Sequence, residues 1–99
     1  MSRKVVISQQ AEKKLQALFK YLLEWSYKVK SDFIIKLDQN IQIIKEQPKS
    51  FPESDKQSGL RKCVITKQIT LYYEFNDEEI QILTFFDTRQ DPKKFKKDL

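Results

Sequence analysis

From Gln9 to Glu24 the apolar positions Ala11, Leu15, Leu18, Phe19 and Leu22 recur at three- and four-residue spacing, while Glu12, Lys13, Lys14 and Lys20 fall mostly away from them. That spacing places one apolar stripe along a helix, and Ser8 stands before it as an N-cap. A second stripe, Val29, Phe33, Leu37, Ile41 and Ile44, predicts a helix over Tyr27–Glu46 capped by Ser26. Only Ser26 separates the two helices, so the pattern predicts a tight αα-hairpin whose stripes both face one sheet. Pro48 stops the second helix, and Gln47 to Ser58 reads as an exposed loop. Tyr21 and Trp25 are expected at the edge of the core, with a binding surface as the alternative.

The period then changes. Ile69, Leu71, Tyr73 and Phe75 alternate with Thr70, Tyr72 and Glu74, which is the spacing of a strand with one face on a core. Ile80 to Phe86 is a nearly continuous apolar run, as a buried strand requires. Asn76-Asp77 supplies a turn between them, and Thr66-Lys67 a weaker turn signal before them. With a short strand at Lys4–Ile7 and another beginning at Arg61, the chain reads β-α-α-β-β-β in a single domain over residues 1–99. Asp91-Pro92 then opens a short C-terminal helix anchored by Phe95. The class is α+β, with the helical hairpin packed on one face of a small sheet.

Composition adds charge to this picture. The formal net charge is +5, and Lys93 to Leu99 alone carry four lysines and one aspartate. A basic balance suits contact with nucleic acid or an acidic protein. The chain has no histidine, which removes the commonest general base and zinc ligand. Cys63 is the only cysteine, so no internal disulfide forms, and its place in a strand makes it a small apolar filler. No metal-ligand cluster, glycine-rich phosphate loop or paired-carboxylate motif is present, and no cofactor is called for. No signal peptide or segment of transmembrane length is visible, which leads us to expect a cytoplasmic protein without membrane contact.

What remains as candidate chemistry is a basic and aromatic set: Arg61 and Lys62 at the start of the second strand, Tyr72 opposite the core set, Arg89 after the last strand, then Lys93, Lys94 and Phe95. Arginine and lysine hold phosphates or acidic side chains, and aromatic rings stack on bases. A solvated basic surface accounts for the same residues about as well.

The element order, Gly59-Leu60-Arg61-Lys62, the strand Ile69-Thr70-Leu71-Tyr72-Tyr73 and the ending Phe85-Phe86-Asp87-Thr88-Arg89-Gln90-Asp91-Pro92 together resemble the RelE/ParE superfamily of bacterial toxins. The resemblance implies an antiparallel sheet carrying a helical hairpin, and a cognate antitoxin that wraps and blocks the toxin. It also implies one of two targets. RelE-like members cut ribosome-bound mRNA; ParE-like members poison DNA gyrase. The RelE-like set places an arginine in the hairpin strand within Tyr-Arg-Leu-x-Tyr, a second after the last strand, and a tyrosine six residues later. Here Thr70 holds the first position, Arg89 matches the second, and Phe95 holds the third. A threonine cannot neutralise a phosphorane oxygen as a guanidinium does, and a phenyl ring has no proton to exchange. A nuclease built on this chain would rest on Arg61, Lys62, Arg89 and the tail lysines. The resemblance therefore implies a ParE-like toxin acting by binding. The alternatives are an mRNA endoribonuclease and a non-toxic member kept as an antitoxin partner.

Overall fold

The computed structural model describes residues 3–54 and 57–87. Strand β1 (Lys4–Ile7) leads into helix α1 (Gln9–Trp25) and helix α2 (Tyr27–Glu46); strands β2 (Arg61–Val64), β3 (Ile69–Phe75) and β4 (Glu79–Asp87) follow. The helices begin and end where the sequence places them. Ser8 Oγ accepts from the Ala11 N–H at 3.0 Å, as an N-cap does. Ser26 serves both helices: its N–H donates to the Leu22 carbonyl that ends α1, and its Oγ accepts from the Val29 N–H that starts α2. The loop after α2 is less open than expected. Pro48–Ser50 forms a 3-10 turn, Pro48 is buried, and its carbonyl accepts from the Tyr73 hydroxyl at 2.6 Å.

The sheet order is β1-β4-β3-β2. Its three later strands form the expected antiparallel meander, but β1 pairs parallel to β4. The cause is the helical hairpin. α2 returns the chain to the end of the sheet where β1 begins, with the Arg3 N–H donating to the Lys45 carbonyl at 3.4 Å. β2 therefore starts at the same end as β1, and two antiparallel turns leave β4 running with β1. Asn76 closes the β3–β4 turn, its Oδ1 accepting from the N–H groups of Glu78 and Glu79 at 2.8 Å each. Gly59, at φ 81°, makes the turn that swings Leu60 under the sheet; an added Cβ there would meet nothing within 4 Å, so the need is conformational.

The face toward the helices carries the main core. Ile69, Leu71 and Tyr73 are buried there with Ile80, Ile82 and Phe85, against Ala11, Leu22, Phe33, Leu37 and Ile44. The even-to-odd change from Ile82 to Phe85 is a β-bulge: Tyr73 pairs with Ile82 and Tyr72 with Thr84, which leaves Leu83 as the extra residue. Ser8 secures that bulge, donating from Oγ to the Leu83 carbonyl at 2.9 Å while its N–H donates to the Ile82 carbonyl. Two positions differ from expectation: Val29, of the α2 stripe, is 42 % exposed, and Trp25, expected at the core edge, is 68 % exposed. Both line a cleft at the junction of the helices with Gln68 of the β2–β3 turn. Tyr21 is half-buried, as an edge residue should be. The C-terminal helix expected from Asp91-Pro92 lies outside the described residues.

Candidate functional site

Arg61 and Lys62 are neighbours in sequence, but the pleat of β2 sends them to opposite faces. Arg61 pairs with Tyr73 on the helix side, and Lys62 pairs with Tyr72 on the other. Arg61 is held on that side by three contacts. Its guanidinium donates to the Phe51 carbonyl at 2.6 Å, stands 5.6 Å from the centroid of the Phe75 ring, and lies 3.8 Å from the Glu53 carboxylate. Only 18 % of its side chain is exposed. An arginine so engaged anchors the 51–54 segment to β2. That segment also takes the outer edge of the strand: the Lys62 N–H donates to the Pro52 carbonyl, and the Ser54 N–H to the Leu60 carbonyl. The edge is thereby blocked against pairing with another chain.

Lys62, Thr70, Tyr72 and Val64 share the face away from the helices. That face is not open around Tyr72. The ring is buried with Leu60, Phe86 and half-buried Leu83 in a second, smaller apolar cluster, so parity places Tyr72 as expected while packing removes it from the surface. Thr70 is buried next to Val64, which is 60 % exposed. Position 70, where the resemblance to RelE-like toxins would call for an arginine, thus lies on the face that bears Lys62, across the sheet from Arg61. Of the residues singled out in the sequence, the fold brings Lys62 and Tyr72 together and sets Arg61 apart. Arg89, Lys93, Lys94 and Phe95 lie outside the described residues.

Two ionisable groups on the helix side are altered by burial. Desolvation pushes the Cys63 thiol up to about 11, and its Sγ lies 3.5 Å from Asn40 Oδ1. Such a thiol stays protonated at neutral pH and is a poor nucleophile. Desolvation likewise pushes the Tyr73 hydroxyl up to about 12, against a lowering by the Arg61 charge and in line with a raising by Cys63. Its proton is committed to the Pro48 carbonyl. Neither group is placed for acid–base work near pH 7. No helix among the described residues is long and apolar enough to cross a membrane.

Sequence reasoning gave little weight to the end of the molecule where α1, the β2–β3 turn and the end of β4 meet. Lys13, Lys14, Tyr21, Trp25 and Asp87 gather there around two clefts. The available signal was the basic pair Lys13-Lys14 followed on the same helix by Tyr21 and Trp25, which a stripe-based reading divides between surface and core.

Residues 5–92 match the family described as the ParE toxin of the type II toxin–antitoxin system parDE. No curated protein matches the chain by sequence. Among solved structures, the fold is similar to a chain of the chromosomal ParDE toxin–antitoxin system from P. aeruginosa, at 12 % identity and a TM-score of 0.70 over 87 % of this chain and 96 % of that one. It is similar to a chain of the E. coli DinJ-YafQ toxin–antitoxin complex at 14 % identity and a TM-score of 0.66, covering 90 % and 96 %. It also resembles a copper-bound mutant toxin from Helicobacter pylori, at 21 % identity and a TM-score of 0.63, covering 90 % and 97 %.

Proposed function

The chain belongs to the ParE toxin family of type II toxin–antitoxin systems, and from that membership we propose that it acts by binding DNA gyrase and is neutralised by a cognate antitoxin. The observation that carries the choice of target is the residue at position 70. Thr70 stands where an mRNA-cleaving toxin needs a transition-state cation, it is 9 % exposed, and the nearby cation of β2, Arg61, is tied up on the opposite face. Lys62 alone among the described cations of β2 shares the Thr70 face. Losing one charge stabiliser of a transition state costs about 10²–10³-fold, and losing a general acid or base about 10²–10⁴-fold. A chain with threonine at position 70, phenylalanine at position 95 and no histidine lacks both. Binding needs neither; it needs basic and aromatic side chains, and the sequence carries them at Lys62, Arg89, Lys93, Lys94 and Phe95.

The test is induced expression with a DNA-damage reporter, paired with transcript mapping. We expect the reporter to rise, Arg89→Ala to lower it with the fold intact, and purified ribosomes to show no codon-phased cleavage of mRNA. Codon-phased cleavage abolished by Arg89→Ala would overturn this reading in favour of the endoribonuclease. Toxicity absent altogether would favour a member kept as an antitoxin partner.

A further inference from the structure

Arg3 enters β1 beside the end of α2, and its side chain is fixed there at two points. Nε donates to the Asn76 carbonyl at 2.6 Å, and the guanidinium lies 5.5 Å from the centroid of the Phe75 ring. A guanidinium carries five N–H donors in one plane, so these contacts orient the group and leave its terminal nitrogens to bond elsewhere. Arg3 lines a cleft of about 380 Å³ with Gln47, Pro48, Lys49 and Ser50. Gln47 Oε1 accepts from the Ser50 hydroxyl at 3.0 Å, which commits the amide oxygen and leaves the amide NH₂ as a donor. No carboxylate stands among these walls, and among the described residues neither Arg3 nor Lys49 forms an ion pair. The positive charge extends past the cleft. Arg61 stands against the same Phe75 ring at 5.6 Å, and only Arg61 has a carboxylate beside it, Glu53 at 3.8 Å. Negative groups lie farther out. Glu46 ends α2, and Asp77 and Glu78 follow Asn76 in its turn; all three are exposed to solvent, which screens them. Two of the carbonyls near the end of α2 are occupied, by the N–H groups of Gln47 and Arg3.

We propose that this cleft binds a phosphate group, held by the terminal N–H groups of Arg3 and the ammonium of Lys49, with the Gln47 amide as a third donor. A planar guanidinium matches phosphate with two parallel N–H···O bonds, and an oriented one loses little freedom in making them. Two cations balance a phosphate dianion and more than balance a phosphodiester. The site is distinct from the sheet face read above as meeting the target. Thr70 lies near the start of β3 and Phe75 at its end, about 17 Å apart at about 3.4 Å per residue. A free phosphate group and the backbone of a nucleic acid present the same oxygens to these donors, and the net charge of +5 suits the approach of either.

The test is nuclear magnetic resonance of the isotope-labelled full chain, titrated with inorganic phosphate and, separately, with a short DNA duplex, at ionic strength held constant with chloride. Saturable shifts are expected at the Arg3 Nε–H signal and at the backbone amides of Gln47, Lys49 and Ser50. Lys49→Gln, at an exposed position, should weaken phosphate binding at least about tenfold, the loss of one charge-assisted bond. Arg3→Gln should abolish it. Because Arg3→Gln also removes the contacts with Asn76 and Phe75, its amide spectrum is checked for a native fold, and Lys49→Gln decides the matter where that variant does not fold. A duplex that moves the same signals at lower concentration than phosphate supports the site and identifies its ligand as a nucleic-acid backbone. Phosphate binding with no effect of the duplex supports the site and identifies a free phosphate group. The proposal is overturned by no saturable shift with either probe, by shifts as large at Lys13 and Lys20 on α1 as at residues 47–50, or by phosphate affinity unchanged in Lys49→Gln.

Discussion

Arg61→Ala is expected to act on the stability of the fold rather than on a contact with the target. The guanidinium donates at 2.6 Å to the Phe51 carbonyl, and a hydrogen bond from a charged group contributes about 1.5–3 kcal/mol. The contact with the Phe75 ring at 5.6 Å adds about 0.5–1 kcal/mol. The Glu53 pair at 3.8 Å involves a glutamate side chain that is 61 % exposed, so solvent screening holds it to about 0–1 kcal/mol. These terms share one side chain and do not add fully, which leaves about 2–3 kcal/mol. With a urea slope of about 1–3 kcal/mol/M for a small domain, the unfolding midpoint should fall by about 1 M or more. Lys62→Ala, one residue on and on the opposite face, removes no interaction of this kind and should stay within about 0.5 kcal/mol of the parent. The assay is urea unfolding of the purified chain and both variants, followed by circular dichroism, beside their DNA-damage signalling in cells. An Arg61→Ala midpoint equal to the parent's, with signalling lost, would refute the structural assignment and make Arg61 a contact residue.

Two further outcomes follow from side chains that serve two elements or are buried. Ser8→Ala removes both the α1 cap and the donor to the bulged Leu83 carbonyl, so it should cost about 1–3 kcal/mol by the same unfolding assay, more than a cap alone. Raising the pH should destabilise the fold between about pH 9 and 12. The Cys63 thiol moves from 9.0 to about 11 and the Tyr73 hydroxyl from 10.0 to about 12, so the native state holds both protons more tightly than the unfolded chain; the stability is whole below pH 9 and is lost as pH rises through the folded values. Cys63→Ala should flatten the pH 9–11 part of a denaturation series, and an unchanged profile would show that the thiol does not contribute.

The fold was legible because its signals are local. Ser8, Ser26 and Pro48 mark helix ends through their own chemistry, and the alternation from Ile69 to Phe75 needs no partner to be read. The bulge at Leu83 was hidden, because an unbroken apolar run from Ile80 to Phe86 carries no record of which residue is extra; only the register against Tyr72 and Tyr73 decides it. The parallel pairing of β1 was hidden for a related reason, since it depends on which end of the sheet α2 returns to. The candidate site was read less well, and Arg61 and Lys62 show why. Residue type and adjacency suggested one basic locus. Strand geometry divides it, giving one cation to a buried structural role and leaving the other on the face that carries Thr70. Loss of toxicity at Arg61 and at Lys62 would therefore have different causes, lowered stability in one case and lost contact in the other. A mutational scan of this toxin can be interpreted only when stability is measured variant by variant beside toxicity. By that standard Lys62→Ala, with its small expected cost in folding, is the cleaner test of whether the sheet face meets the target.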